Sequence, residues 1–346
     1  MHRQPSHHDK TVIPRTNTFP RPSLSIALAS YNGERYIGEQ LDSIAKQTRL
    51  PDELVISDDA SIDATPAIIE DFARQAPFPV RLLRNSERLG STRNFETAIK
   101  ACSGDIIFLC DQDDVWYPAK IALVEERFIN NPGMGALFTD GDVVDENLRP
   151  ICRMWDVFGF NPYEQRMVEA GDPLAVLFRH PVVTGATMAF RSGYRQLVLP
   201  LPNLPNTWHD EWIALLISST ASLGTLHTPL IAYRQHGSNQ VGIPSHGKNR
   251  GGNRGKNFRK THAEIYGPRV IRFEAARARL LERSEFFPVD QRKILSFNDA
   301  LLFWQACFGL PPNRWRRLPT AVHELMVMRY HRYAKGLRSF RKDLFR

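Results

Sequence analysis

Three carboxylates crowd into four residues, Asp111-Gln112-Asp113-Asp114, where the apolar run Asp105-Ile106-Ile107-Phe108-Leu109-Cys110 ends. Like charges that close repel, and a fold tolerates them best where a cation neutralises them. With no Cys or His inside the cluster the donors are all oxygens. That suits a hard ion such as Mg²⁺ or Mn²⁺, of the kind that bridges to substrate phosphates. A helix N-terminus is the competing explanation, since Pro118 can open a helix and first-turn acids favour its dipole. Capping, though, uses one carboxylate and not three. A second acidic pair, Asp58-Asp59, closes the run Leu54-Val55-Ile56, and a third, Asp210-Glu211, sits between Trp208 and Trp212. Their plain alternatives are a self-capped Asp turn and a helix start.

These groups need a frame. Leu24–Ala29, Leu54–Ile56, Val80–Leu83 and Asp105–Cys110 read as strands. Between them Tyr36, Ile37, Leu41 and Ile44 recur at helical spacing, Thr65-Pro66 opens a helix to about Gln75, and Phe95, Ala98 and Ile99 mark a third. The βαβαβαβ order predicts an α/β fold whose mainly parallel, doubly wound central sheet has helices on both faces. Ligands of such sheets bind outside the carboxyl ends of the strands, where each early polar cluster falls. Further on, Ile121, Val124 and Phe128 predict a helix and Ala136–Thr139 a strand ending in Asp140-Gly141-Asp142. A loop rich in Trp, Phe and Pro spans 150–182, Thr184–Phe190 reads as a strand, and Trp212–Ile217 as a helix.

A chain of 346 residues holds one large domain, or one domain with an extension. Its net charge of +8 hides an asymmetry. Residues 247–346 carry 23 Lys and Arg against 8 Asp and Glu, whereas residues 1–246 carry 22 against 29. An acidic body thus bears a basic tail, which seeks phosphate on a membrane surface or on nucleic acid. The cysteines (Cys102, Cys110, Cys152, Cys307) show no CxxC spacing and read as reduced packing residues. No apolar run reaches the ~18 residues of a membrane span. The N-terminus lacks an apolar signal core, and residues 1–22 read as a flexible leader.

Taken in order, Ser30-Tyr31-Asn32, Asp58-Asp59-Ala60-Ser61, Asp111-Gln112-Asp113-Asp114 and His209-Asp210-Glu211 resemble family 2 glycosyltransferases with the GT-A fold. The closing Tyr233-Arg234-Gln235-His236-Gly237-Ser238-Asn239 is similar to their bacterial rhamnosyltransferase-like branch. The resemblance covers about residues 23–242. It implies a GT-A, Rossmann-like domain over 23–245, then a basic linker at 246–261 and a basic helical C-terminal extension at 262–346. The implied reaction is inverting and divalent-metal-dependent. A sugar, rhamnose in that branch, passes from a dTDP- or UDP-linked donor to a glycan or lipid-linked saccharide in bacterial surface polysaccharide assembly.

By the same resemblance, an Asp-X-Asp-type cluster gives Asp113 and Asp114 to a Mg²⁺ or Mn²⁺ ion and Asp111 to the donor ribose. Asp59 accepts from the pyrimidine ring NH, and Tyr31 flanks the base, with Ser30 and Asn32 beside it. Asp210 is the candidate general base, partly desolvated by Trp208 and Trp212, with Glu211 the lesser contender. Trp208 also suits the apolar face of a sugar. His236 is a metal ligand or diphosphate contact, or else structural. Arg93 reaches the donor phosphates, or is a solvated helix residue. Thr184-Gly185 pass beneath the sugar, or pack the core. Two positions depart from the family pattern: Ala60 stands where Gly is usual, and His209 where Glu is frequent.

In the tail, Leu337, Phe340, Leu344 and Phe345 fall on one helical face with Arg and Lys on the others, the pattern of a helix lying on anionic lipid. This predicts a cytoplasmic protein, peripheral at the inner face of the cell membrane. A solvated helix packed on the acidic body is the alternative. A nucleic-acid-binding tail fits poorly with the acidic first 246 residues, so no nucleic acid is expected as partner. An inactive scaffold of the same fold fits poorly with the retention of every carboxylate.

Overall fold

The computed structural model describes residues 21–237 and 261–345. The expected leader up to residue 20, the expected linker from 246 to 260, and Ser238 and Asn239 lie outside the described residues. Nine strands form one sheet: β1 (Leu24–Ser30), β2 (Glu53–Asp58), β3 (Val80–Arg84), β4 (Ile106–Asp111), β5 (Val115–Trp116), β6 (Met134–Val144), β7 (Pro150–Arg153), β8 (Met188–Arg191) and β9 (Ser222–Arg234). Their order is β3-β2-β1-β4-β8-β6-β9-β5, with β7 on β6. β1 to β4 are parallel, as expected. Beyond them the sheet is mixed: β8 runs antiparallel to β4 and β6, while β6 and β9 are parallel.

The alternation within each strand divides the core. Leu24, Ile26, Leu28, Ile106, Phe108 and Cys110 pack on one face, under the helices Ile37–Ala45 and Lys120–Asn130. Ala27, Ile107 and Leu109 pack on the other, under the helices Ser91–Ala101 and His209–Thr220. Both faces being covered, β4 reads as an unbroken apolar run from Ile106 to Cys110, and β1 is interrupted only by Ser25 before its closing Ser30. The expected C-terminal helices are present: His262–Glu282, Gln291–Phe308, Arg314–Met326, Arg329–Tyr333 and Leu337–Phe345. They extend the second layer, with Phe273, Phe297 and Phe303 in the same cluster as Phe178, Trp212 and Ile213.

Three expectations are corrected. The stretch from Thr184 is not a strand at first: Gly185–Thr187 is a 3₁₀ turn, and β8 begins only at Met188. β6 does not end at Asp140 but runs on to Val144, absorbing Asp140-Gly141-Asp142 with shifts of register. The stretch 150–182 is not one loop, because β7 and the short helices Met154–Phe158, Pro162–Glu169 and Pro173–Leu177 occupy it. Pro162 and Pro173 sit in first turns, where a missing N–H costs nothing, so their prolines start helices and do not break them.

Candidate active site

Ser30 lies opposite Asp58 in the sheet and Ala29 opposite Asp111, so three motifs share one carboxyl edge. There a cleft of about 580 Å³ opens, lined by Tyr31, Asp59, Asp111, Asp113, Gly185, Asp210 and His236 among others. That is the size of a small-molecule site.

Asp58 is architectural. Its buried carboxylate accepts from Ser30 Oγ (3.0 Å), Ser61 Oγ (2.6 Å) and the Ser61 N–H (2.9 Å). This is the self-capped Asp turn, and it forces Ala60 to φ 59°, the left-handed region that glycine enters more easily. Asp59 faces the cleft while accepting the N–H groups of Leu89 (2.6 Å) and Gly90 (2.9 Å). It therefore ties the loop after β3 to the cleft. Ser30 is also held, its carbonyl accepting from Asn94 Nδ2 at 3.0 Å, and Asn32 makes the turn at φ 44°.

Gln112 acts as a clamp. It accepts the Tyr31 N–H (2.8 Å) and donates to the Tyr31 carbonyl (3.0 Å). Gly33 admits it, because a Cβ there would fall 2.3 Å from Gln112 Oε1. On the fixed Tyr31 ring rests the Arg88 guanidinium, 4.1 Å from the centroid, giving a cationic shelf at the cleft wall.

The acidic cluster divides. Asp111 lines the cleft, and among the described residues no donor reaches its carboxylate. Burial, reinforced by the charges of Asp113 and Asp210 and opposed by Lys120, pushes it up to about 7. Asp113 Oδ2 lies 2.8 Å from His236 Nε2 in the same cleft. Asp114, expected on a metal, does not line the cleft. It is buried and accepts the Arg234 N–H at 3.0 Å, and among the described residues its other oxygen has no partner. Asp113 lines the cleft and Asp114 turns away from it, so the pair does not face a ligand together. Arg234 knots the region together: it donates to the carbonyls of Asp113 (2.9 Å) and Glu146 (2.7 Å), pairs with Glu39, and stacks over Tyr36. Lys120, buried beneath, donates to the Ala186 carbonyl at 2.6 Å and is lowered to about 7 by burial. Among the described residues no three His, Cys, Asp or Glu are already gathered at metal-binding spacing. Asp111 and Asp113, with His236 beside Asp113, are nonetheless mainly oxygen donors on one cleft, the kind a hard divalent cation takes.

The opposite wall belongs to the helix His209–Thr220. Asp210 stands in its first turn, Oδ2 accepting the Gly185 N–H and Oδ1 the Glu211 N–H, each at 2.7 Å. Gly185 is required, since a Cβ would meet His209 Nε2 at 2.6 Å. His209 is buried on Phe95, ring centroids 3.9 Å apart, and among the described residues neither nitrogen has a hydrogen-bond partner. Trp208 lines the cleft, half-exposed, but Trp212 does not flank Asp210. It lies in the core, its indole donating to the Val198 carbonyl at 2.9 Å. Glu211 pairs with Arg272 of the helix His262–Glu282. Burial pushes Glu211 up to about 7, with Arg272 pulling down and Asp210 adding to the rise.

Thr184 reaches the cleft as expected. Arg93 does not: it pairs with Glu96 on its own helix at 2.6 Å, the solvated alternative. Gln112, Arg234, Arg88, Lys120 and Arg272 were not foreseen. Gln112 and Arg234 sit inside motifs already singled out, whereas Arg272 is 61 residues from its partner and has no local signal.

Residues 25–191 match the sequence model of the family described as Glycosyl transferase family 2. An uncharacterized protein of Mycobacterium tuberculosis is 43% identical over 126 residues, 36% of this chain and 36% of that protein. The dTDP-rhamnosyl transferase RfbG of Shigella flexneri is 40% identical over 98 residues, 27% of this chain and 34% of that one. Both matches span about a third of the curated relatives' length. Among solved structures, residues 1–349 of TarS from S. aureus, in complex with UDP-GlcNAc, align at a TM-score of 0.54 and 15% identity. That alignment covers 88% of this chain and 81% of the other, and what it shares is the GT-A fold.

Proposed function

We propose, from the match of residues 25–191 to glycosyl transferase family 2, that the cleft binds a nucleoside-diphosphate sugar and transfers the sugar to a saccharide hydroxyl. The observation that carries the reading is one cleft with two kinds of carboxylate. Asp111 and Asp113 stand at the sheet edge, Asp113 beside His236, and Asp210 stands on the helix His209–Thr220, held by two backbone N–H groups.

Each of those N–H groups uses one lone pair of Asp210, fixing the carboxylate plane and leaving acceptor capacity on both oxygens. Asp210 takes the proton of the acceptor hydroxyl as that oxygen attacks the anomeric carbon. The bond from this carbon to the diphosphate oxygen breaks, its electron pair leaves on the diphosphate, and the configuration inverts. A divalent cation, Mg²⁺ or Mn²⁺, held by Asp111, Asp113 and His236 would act as a Lewis acid on the diphosphate charge. Tyr31 with Arg88 forms a shelf for the base, and Asp59 offers its remaining lone pairs to a ring NH. Trp208 and Gly185 border the sugar. Likeness to RfbG supports dTDP-rhamnose as donor. The acceptor is a growing bacterial surface glycan, lipid-linked, met at the inner face of the membrane.

Asp210→Asn tests the base. Transfer is expected to fall by about 10²–10⁴, while donor affinity measured by calorimetry stays within about twofold. Retained turnover removes Asp210 from the role.

A further inference from the structure

Between residues 311 and 345 every exposed Lys, Arg, Asp or Glu is a cation. The stretch contains two carboxylates, and both turn inward. Glu324 is buried against Arg329, and Asp343 is buried, accepting from the hydroxyls of Tyr266 (2.6 Å) and Tyr330 (3.1 Å). Arg314, Arg316, Arg338, Arg341 and Lys342 are exposed, and among the described residues none of them forms an ion pair. No helix of the described residues is long and apolar enough to cross a membrane.

The same stretch also exposes apolar side chains. On the helix Arg314–Met326, Trp315, Val322 and Met326 are exposed at 67%, 40% and 75%. Their spacing of seven and four residues sets them in one stripe. Arg314 and Arg316 flank the stripe about 100° to either side. The helix Leu337–Phe345 packs beside it, Arg317 donating to the Asp343 carbonyl at 2.9 Å. The single face expected on that second helix is divided. Phe340 turns inward, edge-on to Tyr330 at 5.8 Å, while Leu337 and Phe345 stay exposed.

From this arrangement we infer that the helix Arg314–Met326, with the cations of Leu337–Phe345, docks on an anionic lipid surface. The Trp315 stripe enters the headgroup boundary and the arginines face the lipid phosphates. A protruding Val and Met gain nothing on a phosphate backbone, which favours lipid over nucleic acid; an unbalanced array of cations disfavours a neutral protein partner. This inference stands apart from the transfer reading, since docking is measured without donor or acceptor.

The full chain is sedimented with vesicles of phosphatidylcholine alone and with about one-third phosphatidylglycerol. Binding to the anionic vesicles is expected to be at least about tenfold tighter and to be released by high salt. Trp315→Glu with Met326→Glu should lower it at least about tenfold, with an unchanged circular-dichroism melt because both side chains are exposed. Arg338→Glu with Arg341→Glu and Lys342→Glu should lower it as far by charge alone. Undiminished binding of the Trp315→Glu/Met326→Glu protein overturns the inference. So does equal binding to both vesicles, or a short DNA duplex that displaces the anionic vesicles from the chain.

Discussion

Arg272→Gln isolates the link between the C-terminal helices and the cleft. Arg272 pairs with the buried Glu211, whose carboxyl stands near 7 chiefly through burial, against an ordinary value of 4.5. Without the guanidinium the folded-state value rises further, while the unfolded value is unchanged. A carboxyl raised in the folded state contributes stability below its unfolded value and loses it as pH climbs through the folded one. Native protein and variant therefore share the same loss up to about pH 7, and above that only the variant goes on losing. The extra loss grows at about 1.4 kcal/mol per pH unit. It reaches about 2 kcal/mol at pH 8.5, below the ~3–5 kcal/mol ceiling for breaking a buried pair. Urea denaturation followed by circular dichroism at pH 5.5, 7 and 8.5 reads it directly. Any packing loss from the missing arginine stem is a constant offset across the three. Adding Glu211→Gln should abolish the pH-dependent part. A loss of equal size at all three pH values, or a double variant with the same pH slope, would refute the ion-pair reasoning.

Asp113→Asn should weaken donor binding in the presence of Mn²⁺ by about tenfold or more and leave binding in chelator unchanged; undiminished cation dependence in calorimetry would move the metal elsewhere. Gln112→Ala removes two hydrogen bonds to Tyr31 and should lower the unfolding free energy by about 1–3 kcal/mol, as read by urea titration. An unchanged midpoint would mean that the Gln112–Tyr31 hydrogen bonds hold nothing in place.

Much of the parallel half of the fold was legible because its strands are covered on both faces. Runs such as Leu24–Ala29 and Ile106–Cys110 have no polar face to confuse the reading. Asp59, Asp111, Asp113, Gly185, Asp210 and His236 do converge on one cleft. The errors have physical causes. Trp208 and Trp212 share a helical face by spacing, but Trp208 is the helix cap, with φ −95° and ψ 158°, so it leaves that face for the cleft. Asp113 and Asp114 are the same residue type side by side, but Asp113 lines the cleft while Asp114 is taken by the Arg234 N–H of β9, a partner 120 residues away. Arg93 has the right charge on the right helix, but Glu96 one turn on captures it. Arg272 could not be seen at all: its role depends on how the C-terminal helices dock, which no local pattern encodes.

If this cleft is a cation-assisted nucleotide-sugar site, its hold on a donor depends on the cation. The most direct measurement is calorimetric titration of the full chain with UDP-, dTDP- and GDP-sugars, with Mn²⁺ and with chelator. One pyrimidine donor, dTDP-rhamnose foremost, should bind, and chelator should weaken that binding at least about tenfold. Failure of every donor to bind under both conditions would contradict the account and leave a glycosyltransferase fold without a working donor site.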